Sequence, residues 1–355
     1  MFLNMKHPHR PRITVFFTLL APLFLLAAAC SGDDDAGATP GPGASQTEGP
    51  RETAPGNAVT PPAVETGDAG GPEPFGFLAF YSFRGGDDDP ETVGDQEIYT
   101  MNVDGSDQAN ISNHEADDFE PDWSPDGTRI AFASLRDGGQ AHIFVMDADG
   151  GNVVKLTGQN GGYLSPRWSP DGQSIALSRS GTIMVMNADG SGLREVFQPQ
   201  LEETAEPCHG PGFPGGWSPD GKRITYYSAS ASRQTGEICI VDAATGEIEA
   251  VVVEPVAIHA EPVWSPDGRY LAYRSIRGDN SDIYVYDLEE KKETRLTDVP
   301  ELDAEPEWSP DGEWIAFVSY RDYPNSDIYL MRKNGSDVRR LTTDPAKDTY
   351  PIWTD

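Results

Sequence analysis

The chain is short of basic residues, of long apolar runs and of cysteine. Lys and Arg total 26 against 58 Asp and Glu in 355 residues, a formal charge of −32. Without clusters of Lys and Arg to displace counterions, nucleic-acid binding is disfavoured. Only residues 13–29 approach membrane length, which excludes a polytopic membrane protein. Cysteine occurs three times, at Cys30, Cys208 and Cys239. Gly-x-Ser-x-Gly, His-Glu-x-x-His and P-loop patterns do not occur. Gly (37) and Pro (30) are plentiful, which points to many turns and hence to many short strands. At 37% hydrophobic the chain can build a sizeable core.

The N-terminus reads as an address. Residues 1–12 carry Lys6, Arg10 and Arg12 and no acid, residues 13–29 are apolar throughout, and Cys30 follows three alanines. A basic region, an apolar region and small residues before a cut site describe a secretory signal over residues 1–29. The stretch Leu26–Cys30 (LAAAC) resembles the lipobox of bacterial lipoproteins. That resemblance implies cleavage before Cys30 and lipidation of its thiol. Residues 30–74 then form a tether. Residues 31–74 hold nine Gly, eight Pro and eight acids, no aromatic residue, and only Val59 and Val64 as branched aliphatics. Such a segment cannot bury enough apolar surface to offset its ordering entropy.

From Phe75 onward one motif recurs. Trp-Ser-Pro-Asp-Gly stands at Trp123, Trp168, Trp217, Trp264 and Trp308, spaced 45, 49, 47 and 44 residues apart, and Trp353 follows 45 after the last. A period in the forties indicates stacked four-stranded units, the blades of a propeller. Each unit reads as a strand ending in Pro-x-Trp-Ser, an alternating apolar strand such as Ile130–Ser134, an Ile-x-x-Met strand such as Ile143–Met146, and a short strand ending in Leu-Thr. Pro fits the second turn position, Asp tolerates the bridge region, and Gly takes the left-handed site. The first unit lacks its Trp strand, and the last copy, Tyr350–Asp355, is only a Trp strand. The two incomplete ends complement each other. The expected fold is therefore all-β: a six-bladed propeller of four-stranded antiparallel blades over residues 75–355, closed by the C-terminal strand completing the N-terminal blade.

The repeat PxWSPDGxxIAFxSxR…IYxMxxDG…LT is similar to the TolB-type β-propeller repeat, and the similarity covers residues 75–355. It is specific for fold and far less so for function. TolB proper carries an additional α/β domain before its propeller. Here the tether occupies that place, so the expectation is a TolB-like lipoprotein and not TolB proper. The TolB-like group includes metal-dependent pectate-fragment lyases with His-lined channels, whose motif this chain does not visibly match.

In four-stranded meanders the uniform Ser-Pro-Asp-Gly and Asp-Gly turns share one face, and the irregular connections share the other. The irregular ones include residues 84–96, 198–216, 277–282 and 321–327. Sites favour variable loops on a rigid scaffold. Equivalent positions form rings near the channel mouth. Five residues before each Trp stand Asp118, Tyr163, Gly212, His259, Asp303 and Asp348, and three before stand Glu120, Ser165, Pro214, Glu261, Glu305 and Tyr350; the candidates among them are the carboxylates and His259. These carboxylates with one His are candidates to bind Ca²⁺ or another divalent cation, or basic groups of a partner. Opposite strand parity would aim them away from the axis. Cys208 and Cys239 fall on the same side of one unit, where an oxidising compartment would join them. The expected function is a monomeric, lipid-anchored, extracytoplasmic platform of the cell envelope for an envelope protein or cell-wall ligand. The alternatives are a carbohydrate-active lyase or hydrolase, or a metal-dependent sensor, with the site at the channel mouth.

Overall fold

The computed structural model describes residues 73–84, 96–158, 160–199, 207–230, 235–252, 257–322 and 324–354. The apolar leader, Cys30 and residues 31–72 lie outside these, as do residues 85–95 and 200–206 of two irregular connections. No helix among the described residues is long and apolar enough to cross a membrane.

Twenty-four strands make up the described chain, four to a blade. Blade 1 holds β1 (Phe77–Ser82), β2 (Glu97–Asn102) and β3 (Ala109–Asn110). Blade 2 holds β4 (Asp118–Trp123), β5 (Arg129–Ser134), β6 (His142–Asp147) and β7 (Val154–Lys155). Blade 3 runs through β8 (Tyr163–Trp168), β9 (Ser174–Arg179), β10 (Thr182–Asn187) and β11 (Arg194–Phe197). Blade 4 consists of β12 (Gly212–Trp217), β13 (Arg223–Ser230), β14 (Thr235–Asp242) and β15 (Ile248–Val252). In blade 5 are β16 (Ala257–Trp264), β17 (Tyr270–Arg277), β18 (Asn280–Asp287) and β19 (Lys292–Arg295). Blade 6 has β20 (Asp303–Trp308), β21 (Trp314–Ser319), β22 (Asp327–Arg332) and β23 (Arg339–Arg340). The last strand, β24 (Asp348–Thr354), pairs antiparallel with β1, from Phe77 opposite Thr354 to Ser82 opposite Asp348, and so completes blade 1. The sheets of blades 4 and 5 meet through a single parallel bridge, Gly236 to Ile258.

Period-two alternation sends successive side chains of each strand into opposite seams. Leu78 and Phe80 enter the seam with blade 6, beside Trp314, Ile328 and Leu330, whereas Ala79 enters the seam with blade 2, beside Ile130 and Phe132. Six apolar clusters occupy the six seams, each built by two neighbouring blades. The ring of blades therefore returns on itself through the seam between blades 6 and 1. Trp314, the Trp outside the repeat, fills that seam with no exposed surface, under the guanidinium groups of Arg332 and Arg339.

The repeat motif is legible as turn chemistry. In blade 2, Ser124 Oγ donates to Asp126 Oδ1 at 2.6 Å and accepts from the Arg129 N–H at 2.9 Å. Blades 3 to 6 repeat this with Ser169, Ser218, Ser265 and Ser309. The Asp-Gly turns brace neighbouring blades. A Cβ on Gly105 of blade 1 would lie 2.4 Å from the Leu341 carbonyl of blade 6, and one on Gly150 of blade 2 would lie 2.1 Å from that of Ile111 in blade 1. With φ near +84° at both, only Gly suits these positions. The Leu-Thr ending has a similar reason: the Thr157, Thr297 and Thr342 hydroxyls each accept the N–H of the Ile in the adjacent third strand.

Candidate functional site

The first strands of the blades contact one another in the cyclic order β24, β4, β8, β12, β16, β20 and so line the axis. Their register breaks at one place. In β4 the pairing with β5 shifts between Phe119 and Asp122, and each of the other first strands shifts at or next to the equivalent point. The residue two before the Trp is Pro in five blades and Gly215 in the other. Pro has no N–H to give a ladder, so a bulge suits it. The residue before it is left-handed without being Gly: Glu120, Ser165, Glu261, Glu305 and Tyr350 all have φ between +52° and +61°.

That strained backbone turns an N–H toward the neighbouring blade, where a carboxylate accepts it. Glu120 accepts the Ser165 N–H at 2.6 Å, Glu261 accepts that of Glu305 at 2.7 Å, and Glu305 accepts that of Tyr350 at 2.6 Å. The three predicted glutamates are thus blade-to-blade clasps around the channel. Glu261 also pairs with Arg274 at 3.2 Å. Burial raises the carboxyl pKa of Glu305, and the charge of Glu261 adds to it. Burial raises that of Glu120, against the Ser165 N–H and Arg167.

The ring five residues before the Trp differs from expectation. Asp118, His259, Asp303 and Asp348 have no exposed surface. Asp118 pairs with Arg136 at 2.6 Å, Asp303 with Arg321 at 3.1 Å and Asp348 with Arg84 at 2.5 Å. Each Arg follows the second strand of the same blade and covers aromatic rings, as Arg136 covers Phe132 and Phe144. The expectation of an open carboxylate ring at these positions is therefore corrected. The bulge interrupts the period-two alternation, and these side chains face Arg within the fold. Blade 5 has His259 at this position, and its Arg277 pairs instead with Glu293 at 2.7 Å. Burial, then the charge of Arg277, pushes the His259 imidazole down to about 4.

Among the described residues no group of three or more His, Cys, Asp or Glu is arranged to hold a metal ion. His114 is exposed and accepts the Ala116 N–H, His209 meets the Phe197 ring edge-on and His259 is buried in β16, so these histidines occupy unrelated settings. Cys208 and Cys239 are joined by a disulfide, with Cα atoms 5.9 Å apart.

A third ring, directly before the Trp, escaped the sequence reading. It holds Asp122, Arg167, Gly216, Val263, Glu307 and Ile352. Arg167 of blade 3 reaches side chains of blades 1 and 2. Its Nη2 donates to the Tyr350 hydroxyl at 2.7 Å and its Nη1 to Asp122 at 3.4 Å. Asp122 also accepts the Trp168 N–H at 2.6 Å. Burial pushes Asp122 up to about 6, against Arg167. Glu307 is pushed up to about 8, first by burial, with Arg167 opposing and Asp122 adding. Next to them a cavity of about 150 Å³ opens where the first strands run into the Ser-Pro-Asp-Gly turns. The signal was available: charges at a position that is Val, Ile or Gly in the other blades.

The irregular connections carry exposed acids at the other end of the channel. Glu115, Asp279, Asp298 and Glu301 are exposed there and make no ion pair among the described residues.

A family model described as the TolB beta propeller domain matches residues 90–212 and 185–355. The Tol-Pal system protein TolB of Anaeromyxobacter dehalogenans (strain 2CP-C) is 35% identical over 121 residues, which are 34% of this chain and only 27% of that relative. Among solved structures, TolB from Acinetobacter baumannii superposes with a TM-score of 0.64 at 20% identity, over 80% of this chain and 68% of that one. A putative TolB from Agrobacterium tumefaciens gives 0.55 at 21% identity, over 79% and 91%. At these identities the superpositions speak to fold alone, and with the repeat and its match they lead to one conclusion: the chain belongs to the TolB β-propeller domain family.

Proposed function

We propose that this chain is a lipid-anchored, extracytoplasmic binding platform of the cell envelope, which presents the irregular-connection face of its propeller to a basic protein or cell-wall partner. The observation that carries the reading is the set of exposed acids Glu115, Asp279, Asp298 and Glu301, which make no ion pair among the described residues, on connections of irregular length, above a ring of blades clasped by Glu120, Glu261 and Glu305. A rigid scaffold keeps such a surface preorganised, so little ordering entropy is lost on binding. Its charge speeds encounter with a basic partner. Several features support the location: the basic and apolar leader of residues 1–29, the LAAAC sequence ending at Cys30, and the Cys208–Cys239 disulfide. The relative from Anaeromyxobacter is named as a protein of the Tol-Pal system, and a protein partner at the envelope is in keeping with that name.

Replacing Cys30 by Ala tests the anchor. The variant is expected to leave the membrane fraction for the soluble extracytoplasmic fraction, and unchanged fractionation would refute the lipid attachment. Neutralising Glu115, Asp279, Asp298 and Glu301 together as amides tests the face. Partner capture on intact cells should fall and lose its salt sensitivity, and undiminished capture would count against the surface.

A further inference from the structure

The cavity at the turn end of the channel exists because one blade omits a side chain. Five blades place Asp122, Arg167, Val263, Glu307 and Ile352 directly before the Trp, and blade 4 places Gly216. A Cβ built on Gly216 meets nothing within 4 Å, so the space is open on that side. Trp217, next in the chain, is only half-buried, whereas the equivalent Trp in every other blade is buried. Its ring is held in place by donation from Nε1 to the Arg167 carbonyl at 3.0 Å. The cavity wall is therefore fixed and partly aromatic.

The charges around the cavity do not balance. Arg167 is committed to Asp122 and to the Tyr350 hydroxyl. Glu307 lines the cavity, and its carboxyl group makes no hydrogen bond or ion pair among the described residues. With Asp122 and Arg167 cancelling, an ionised Glu307 leaves one uncompensated negative charge. A cavity of about 150 Å³ is also below the roughly 300 Å³ at which pockets for larger ligands begin. It suits a group the size of an amino-acid side chain.

We propose that this cavity binds an organic ammonium group, with Glu307 as its counter-charge and Trp217 as its aromatic wall. The attraction combines a carboxylate sheltered from water with a cation–π contact. The ammonium can come from a small free amine or from a Lys side chain of a partner, since both present the same chemistry. The empty site offers a built-in readout. Burial and the Asp122 charge keep a proton on Glu307 near neutral pH, with Arg167 the one opposing charge. An incoming ammonium displaces that proton, so binding releases a proton to the buffer.

The test is calorimetric titration of the folded chain at neutral pH with n-butylammonium and with Nα-acetyl-lysine methylamide, each in two buffers of different ionisation enthalpy. n-Butanol serves as the uncharged control. Saturable binding of either cation, with proton release and a change in Trp emission, is the expected result. If both bind, a protein Lys can enter; if only n-butylammonium binds, the site serves free amines; the proposal stands in either case. Glu307→Gln should weaken binding at least about tenfold, equivalent to about 1.4 kcal/mol, and abolish proton release. Gly216→Val, which supplies the side chain found in blade 5, should fill the space and block binding while the protein still melts cooperatively. Three results would overturn the proposal: no saturable binding of either cation, binding by n-butanol as strong as by the cations, or binding unchanged in Glu307→Gln or Gly216→Val.

Discussion

Replacing Trp353 by Ala should destabilise the propeller at the point where its two ends meet. Trp353 is 6% exposed and packs in the seam between blades 6 and 1 with Leu78, Phe80 and Trp314. Its Nε1–H donates to the Phe75 carbonyl at 2.8 Å. Truncating a buried Trp costs about 3–5 kcal/mol. At roughly 2 °C per kcal/mol for a domain of this size, the expected loss is about 6–10 °C in Tm. Removing β24 altogether goes further. It removes the buried Asp348 that pairs with half-buried Arg84, and takes Ile352 and the clasp from Glu305 to the Tyr350 N–H as well. Together these approach the whole stability of a typical domain, about 5–15 kcal/mol. Urea unfolding followed by Trp fluorescence, with limited proteolysis of β1 as a local probe, measures both variants. A chain truncated at Lys347 that unfolds at the wild-type urea midpoint would refute the joining of the ends.

Further outcomes follow from the same geometry. Glu307→Gln should stabilise the protein at alkaline pH. The folded state holds this proton up to about pH 8, whereas an unfolded Glu gives it up near 4.5, so the stability it contributes is full below about 4.5 and is lost as pH rises through about 8. The stability gap between the Gln variant and wild type should therefore widen from pH 6 to pH 9 by about 2–3 kcal/mol; a gap independent of pH would contradict the sheltered setting of Glu307. Replacing Cys208 and Cys239 by Ala opens a crosslink spanning 31 residues, which should cost about 4 kcal/mol by denaturant titration. A loss below about 1 kcal/mol would show that the bond adds little to stability.

The repeat was readable because every residue in it has a local job. Ser and Asp of the Ser-Pro-Asp-Gly turn satisfy each other and the backbone, so the motif marks each hairpin wherever it falls. The order of strands and the completion of blade 1 by β24 follow from counting those marks. The candidate site was read less well, for a reason that lies in the backbone. Side-chain direction was inferred from alternation along the first strands, and alternation fails across the bulge at Glu120, Glu261 and Glu305. Asp118 and Glu120 stand two residues apart, yet one faces Arg136 within its blade and the other clasps the backbone of Ser165 in the next. The ring of Asp122, Arg167 and Glu307 was passed over because uniform turns suggested a uniform, purely structural end. The vacancy that gives this end its cavity is the missing side chain at Gly216, and a Gly in a chain with 37 of them draws no notice.

Site-specific photocrosslinking in living cells tests the binding platform most directly. A photoreactive residue at Asp279 or Glu301 samples the irregular-connection face, and one at Asp126 or Asp220 samples the exposed Ser-Pro-Asp-Gly turns at the opposite end. The account predicts one reproducible envelope partner captured from Asp279 and Glu301, with a basic surface at the crosslinked site and a yield that falls with added salt. Capture from Asp126 and Asp220 alone, or no reproducible partner from either face, would contradict it.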